Sequence, residues 1–469
     1  MKHILYIVIL YSQVAYSQGE VGRLFEELPE DSIAELSVRV HTSFLPKIRR
    51  SGNKKSFYKV AAIGDINYLQ NSNSSYKTGI GAEFSGLIND KWFLRLAAIQ
   101  GVSNFDSVYM PKSYIYNSGS NYNLYTDIRG RISYTPNHIF NFQAGLDHNF
   151  IGQGSRSLFL SDYGKPYPFG LIRANFWRFE YSVLYQFFKE GQQGDWEGKF
   201  ASSHHISFKP TKWLNIGVFE SVVFQPRDTL LERGFDVEYL NPFVFYRPQE
   251  YSVGSSDNVL LGLEVSAVVK SDHTIYSQLI LDEFYLSELR NRTGWWANKF
   301  GAQFGAKGRF SFGQNNFFYR TEYNFVRPYT YSHISEQFNY GNQGQTLSHP
   351  YGSNFMEVLG ELKWSRNKLS AKFFFNYVMK GEDHSGYSYG GNVYQSYTLR
   401  PYEYDHFTGQ GNQSNRANLS LSVAYRITKH GNMNVFIENY LRYNTNNANP
   451  SYSLVVGIRS LLWNDYRNY

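Results

Sequence analysis

The pentapeptide Gly386-Tyr387-Ser388-Tyr389-Gly390 has the G-x-S-x-G spacing of a hydrolase nucleophile elbow. That chemistry needs a strand before the serine and a helix after it. Here the flanks are rich in Gly, Tyr and Ser, the composition of a loop. His204 and His205 are adjacent. On a strand they point to opposite faces and cannot share one metal. Carboxylates such as Asp282, Glu283 and Glu322 would make an acid–base dyad only if the fold brought two of them together. No Asp/Glu/His spacing fits a metal site, and a cysteine count of 0 removes thiolate ligation and disulfides. The expectation is a protein that is not an enzyme and holds no cofactor or metal.

A different chemistry is concentrated in three stretches: 152–162 (GQGSRSLFLSD), 241–251 (NPFVFYRPQEY), and 327–333 (RPYTYSH) continued by 349–354 (HPYGSN). Each combines aromatic rings with arginine and with amide or hydroxyl groups. Rings stack on sugars, and guanidinium groups donate paired hydrogen bonds to carboxylates and hydroxyls. Arg156, Tyr246, Arg247, Glu250, Arg327, Tyr329, Tyr331 and His333 are therefore expected to converge on a polysaccharide-binding surface. Arg247 and Arg327 both precede proline, which biases them to extended backbone. The same arginines equally suit a second role, pairing with Glu250 or Glu322 to pin their loops inside the protein.

The elements that must position these stretches are strands. After 257 the apolar Val259, Leu261, Leu263, Val265, Ala267 and Val269 alternate with a mostly polar set. In 298–312, Phe300, Phe304, Phe310 and Phe312 oppose Lys299, Gln303, Lys307 and Arg309. The next strand sets Arg320, Glu322 and Asn324 against Tyr319, Tyr323 and Phe325. About eighteen such runs fall between 57 and 462, and tight turns such as Asn89-Asp90 and Gly313-Gln314-Asn315 alternate with long loops. This is an all-β, transmembrane antiparallel barrel with short periplasmic turns and long extracellular loops. A charge facing lipid at mid-membrane costs about 2–4 kcal/mol, so the charged faces belong to the lumen. Lys307, Arg309 and Arg320 should form a basic stripe there, with Glu322 as counter-charge.

The palette agrees: 40 Tyr and 37 Phe against 5 Met supply strand propensity and interfacial girdles. At the N-terminus, Lys2 and His3 precede the apolar run from Ile4 to Leu10, then Ala15-Tyr16-Ser17. That pattern predicts a secretory signal peptide, residues 1–17, cleaved near Ser17. Residues 18–56 read as a periplasmic leader, with Val21, Leu24, Phe25 and Leu28 at helical spacing for a small plug helix, and 57–469 as the barrel. The net charge of +7, one of which leaves with Lys2, suits acidic glycans or lipid headgroups. Nucleic acid is not among the expected partners; outer-membrane lipid is.

The three stretches also carry a resemblance. The sequence resembles the capsule-assembly Wzi family, including gliding-motility RemB-type members of the Bacteroidota. It matches the family's G-x-G-x-R-S-L-x-L-S-D segment from Gly152 to Asp162 and its N-P-F-x-x-Y-R-P-x-E block from Asn241 to Glu250. It also matches E-Y-x-x-V-R-P-Y-T-Y-S-H from Glu322 to His333 and H-P-x-G-x-N from His349 to Asn354, with Tyr351 where leucine is expected. The resemblance implies an eighteen-stranded outer-membrane barrel, partly plugged at the periplasmic side, that binds or organises surface polysaccharide for capsule attachment, or serves gliding and adhesion. A porin or substrate-specific channel is the competing expectation, separated from it by whether the long loops block the lumen.

Overall fold

The computed structural model describes residues 57–460, apart from 90, 107–108, 113, 119–121, 193–194, 227–233, 236, 242–256, 271, 428–432 and 447–448. The expected signal peptide and the 18–56 leader lie outside the described residues. The chain starts with β1 (Phe57–Gln70), β2 (Ser74–Ile88), β3 (Trp92–Ser103), β4 (Ile115–Ser118), β5 (Asn123–Tyr134), β6 (Phe140–Asp147) and β7 (Tyr167–Phe176). It continues through β8 (Phe179–Gln192), β9 (Asp195–Phe208), β10 (Leu214–Phe224), β11 (Asn258–Lys270), β12 (His273–Glu283), β13 (Lys299–Phe312) and β14 (Asn315–Val326). It ends with β15 (Gly341–Asn342), β16 (Gln345–Thr346), β17 (Phe355–Arg366), β18 (Leu369–Glu382), β19 (Asn412–Arg426), β20 (Met433–Asn444) and β21 (Ser451–Ser460).

Neighbours pair antiparallel in chain order, and β1 closes on β21 from Asp65↔Arg459 to Gln70↔Leu454. The short β4 adds to β5, and β15 with β16 forms a hairpin inside a loop. The wall is therefore a closed barrel of 18 strands. Closure removes every sheet edge, which is what lets strands span a bilayer. Among the described residues no helix is long and apolar enough to cross a membrane.

Period-2 alternation sets which way each side chain points. On β13 Phe304 and Phe310 are 58% and 47% exposed, while Gln303 and Lys307 are buried. Tight turns use residues that tolerate positive φ: Asn89 (50°), Gly313 (61°) and Asn367 (53°). One polar pair departs from the rule that charge faces the lumen. Glu220 and His204 share the outward face of β10 and β9 with Val218 and Val222, yet both are fully buried, 3.9 Å apart. Just above them Phe235 and the turn Val237–Leu240 lie on the outer wall. Phe235 packs on Phe187, Phe200 and Phe224, and Ser202 donates to the Tyr239 carbonyl at 3.0 Å.

Three other long loops go inside. Residues 104–122 bring Phe105, Tyr109, Met110 and Tyr114 against Leu69, Tyr125, Phe436 and Val455 on one side of the lumen. Residues 148–166 and 327–354 bring Leu158, Phe159, Leu160, Tyr331, Tyr340 and Leu347 against walls from β7 round to β18. Phe159 stacks on Phe219 at 4.9 Å and lies over Gly262, where a Cβ would meet its ring at 2.5 Å. The barrel interior is a packed core made by its own loops.

Candidate functional site: a filled lumen beneath an aromatic rim

The plug is held by buried carboxylates and amides of the wall. Glu322 on β14 accepts the Tyr276 hydroxyl at 2.7 Å and the backbone amides of Ser155 and Arg156. Gln278 accepts the Leu158 amide at 3.0 Å, and Lys307 donates to the Gln153 carbonyl and side chain, each at 3.0 Å. Glu357 on β17 is the hub of the second loop. It meets His349 at 2.8 Å, Asn376 at 2.8 Å, Asn324 at 3.0 Å and Arg156 at 3.8 Å. Lys380 donates to the carbonyls of Tyr351, Ser353 and Gly391 at 2.7–3.0 Å. An unpaired buried donor or acceptor costs about 1–3 kcal/mol, so these contacts fix the direction in which the loops fold.

The residues predicted from sequence fall into distinct places. Arg156 and Tyr331 meet within the plug: Arg156 is buried against Glu357, and the Tyr331 hydroxyl donates to the Leu158 carbonyl at 2.8 Å. Arg327, Tyr329 and His333 gather higher, under the outer mouth. The Arg327 guanidinium donates to the carbonyls of Asn298 (2.8 Å), Trp295 (3.4 Å) and His406 (3.4 Å), joining two rim loops. Tyr329 donates to the Ser388 carbonyl at 2.8 Å and packs edge-on against Trp296 and His406. His333, half-buried, faces the Tyr397 ring edge-on at 5.8 Å. Tyr246, Arg247 and Glu250 lie outside the described residues.

Two of the tyrosines depart from the expected exposure. Tyr329 and Tyr331 are 0% exposed, so neither offers a ring face to a sugar. Both hold positive φ, 65° and 72°, which is rare for bulky residues and strained by roughly 1–3 kcal/mol each. Their hydroxyl bonds and the Tyr331 amide bond to Asp282 at 2.8 Å hold that turn. Of the expected basic stripe, Lys307, Arg309 and Arg320 do share the lumen face, but Lys307 is spent on Gln153 and Arg320 pairs with Glu361 at 3.5 Å. Glu322 serves the plug amides and Tyr276 instead of balancing that stripe. Ser388 is buried, its hydroxyl accepting from the Gly390 amide at 3.4 Å. Gly390, at φ 74°, packs so closely that a Cβ would meet the Tyr329 nitrogen at 2.3 Å.

Burial also sets the protonation of the loop histidines. His148, enclosed at the foot of its loop and close to Arg129, is pushed down to about 4. His333 is likewise pushed down to about 4, by burial first and by Lys299 second. Both are neutral at ordinary pH.

What remains open to solvent was not singled out from the sequence. The 284–298 and 383–411 loops form a rim above the plug, joined by Trp296 N–Glu403 O (3.1 Å), Asp405 N–Thr293 O (2.9 Å) and His406 N–Gly294 O (2.8 Å). Arg400 lies 4.2 Å over the Trp296 ring, Tyr397 packs on the same indole at 4.7 Å, and the indole N–H donates to Glu403 at 2.9 Å. Tyr402 stacks on His406 at 4.5 Å, and Tyr402, Tyr404 and Phe407 are exposed. Exposed rings beside guanidinium and carboxylate groups are the equipment for gripping a sugar chain. The doublet Trp295-Trp296, in a chain with 8 Trp, was the available signal.

The fold is shared with Wzi. That solved structure is described as an outer-membrane protein of Escherichia coli, involved in group 1 capsule assembly, that is a carbohydrate-binding β-barrel. It is 13% identical, with 96% of this chain and 93% of that chain covered, at a TM-score of 0.58. Pseudomonas aeruginosa OprD aligns over 86% of this chain and 96% of that one, at 9% identity and a TM-score of 0.42. Acinetobacter baumannii OccAB1 aligns over 87% and 96%, at 9% and 0.45. No described protein family and no curated protein matches the chain.

Proposed function

We propose that this protein is an outer-membrane barrel that binds surface polysaccharide at its outer rim, holding capsule or exopolysaccharide at the cell surface or serving adhesion during gliding. The observation that carries the reading is the filled lumen. Loops from both sides occupy the interior and are bonded to the wall. A substrate channel needs that space, whereas a surface receptor needs only a rigid rim. The carbohydrate binding described for Wzi, on the same fold, points the same way. In this account Trp296, Tyr397, Arg400 and Tyr402 contact the glycan, while Arg156, Arg327, Tyr329 and Tyr331 hold the loops that present them.

A glycan array probed with detergent-purified protein tests this. Arg400→Ala/Tyr402→Ala should lose the bound glycan while the barrel keeps its heat-modifiable gel mobility. Unchanged binding by that variant would remove the rim from the site.

A further inference from the structure

Between β12 and β13 the chain leaves the lipid-facing wall without becoming polar. Phe284, Tyr285, Leu286 and Leu289 are all exposed, on the turn and on the short helix α1 (Leu286–Arg290), none of whose residues is buried. The segment is firmly held. The Tyr285 amide donates to the Asn298 side chain at 2.7 Å, Thr293 donates to Glu288 at 2.7 Å, and Tyr285 packs edge-on to Trp295. Its apolar side chains are thus displayed to the outside on a fixed scaffold.

Its height is informative. Phe284 packs at 6.0 Å against Phe300, which stands on the outward face of β13 with Phe304 and Phe310. From Phe312 up to Phe300 the wall climbs about 30 Å, taking about 12 residues at ~3.3 Å each and a tilt of ~40°, against an apolar band of about 25 Å. Phe300 therefore marks the upper edge of the hydrocarbon, and α1 sits at headgroup level, continuous with the lipid-facing wall. Arg290 and Arg292 follow at once, both exposed, and neither is paired with a carboxylate among the described residues. Glu288, the nearest acid in sequence, is engaged by Thr293. Arg292 holds φ 54°, a conformation usually left to Gly or Asn.

We infer that α1 and these arginines form a seat for the phosphorylated headgroup of an outer-leaflet lipid. Phe284, Tyr285, Leu286 and Leu289 enter the acyl boundary, and Arg290 and Arg292 meet the phosphates. The inference needs the barrel in an outer membrane but not the glycan reading, and its probe carries no polysaccharide.

The test is native mass spectrometry of the full-length purified protein with bis-phosphorylated lipid A. Wild type should bind it, and Arg290→Ala/Arg292→Ala should weaken binding roughly tenfold or more. Leu286→Ser/Leu289→Ser should weaken it as well, and dephosphorylated lipid A should not bind. Arg178→Ala, at the opposite end of the barrel, should leave binding unchanged, and heat-modifiable mobility checks that each variant folds. Binding as tight as wild type by the arginine variant overturns the seat. So does displacement of the lipid by millimolar inorganic phosphate, which would reveal an anion site indifferent to the membrane.

Discussion

The plug and the rim are built from the same residue types and use them oppositely. In the plug and just beneath the rim, Arg156, Arg327, Tyr329 and Tyr331 are enclosed, and their polar atoms go to carboxylates and carbonyls of neighbouring segments. At the rim, Arg400 also donates to the Tyr397 carbonyl and pairs with Glu403, but it lies over an indole beside Tyr402 and Tyr404, whose rings are exposed. An arginine among aromatics is therefore not evidence of a ligand site by itself. What separates clamp from contact is whether the neighbouring rings keep a face open to solvent.

That contrast can be broken in graded steps. Glu357→Ala should have the largest effect, because it strands His349, Arg156, Asn324 and Asn376 in a buried site. A loss of about 3–5 kcal/mol is expected, read from urea unfolding in detergent, together with new protease cleavage within 327–354. Arg327→Ala should cost roughly 1.5–3 kcal/mol, as hydrogen bonds to a charged group do. Cleavage should then appear in 284–298 and 383–411 while the 148–166 loop stays protected; a plug that loosens equally would merge the two regions. Tyr331→Phe removes one hydroxyl bond to Leu158 and should cost about 1 kcal/mol. Tyr402→Ala, at an exposed position, should change stability by about 0.5 kcal/mol or less and yet weaken glycan binding.

Acid should act on the buried side. His148 and His333 ordinarily titrate near pH 6.5 but are held down to about 4 in the fold. The unfolded chain takes up these protons first. Their contribution is complete above about pH 6.5 and is lost as pH falls through about 4. Loop protection from proteolysis should decline across that window, and His148→Gln/His333→Gln should flatten the decline.

The wall was legible because strand alternation is local. Phe304, Phe310, Lys307 and Arg309 declare their faces within a few residues of one another, and loop length by parity declares the two ends. The fate of the loops was not, because it depends on partners far away in sequence. Ser155 finds Glu322 across 167 positions, and Lys307 finds Gln153 across 154. The blocks that suggested recognition, GQGSRSLFLSD and RPYTYSH with HPYGSN, proved to be the plug and its fastenings wherever they are described. Glu220 was illegible for a related reason. Its outward position is acceptable only because it is buried beside His204 on a wall that a distant loop overlies.

Single-channel recording in planar bilayers tests the central claim most directly, since a receptor with a filled lumen and a channel differ there first. Purified wild-type protein should insert without conductance steps, and Glu357→Ala, with its second loop released, should show fluctuating openings. Stable, stepwise conductance from the wild type would contradict the account, because it would mean that the packed interior is not the working state of the barrel.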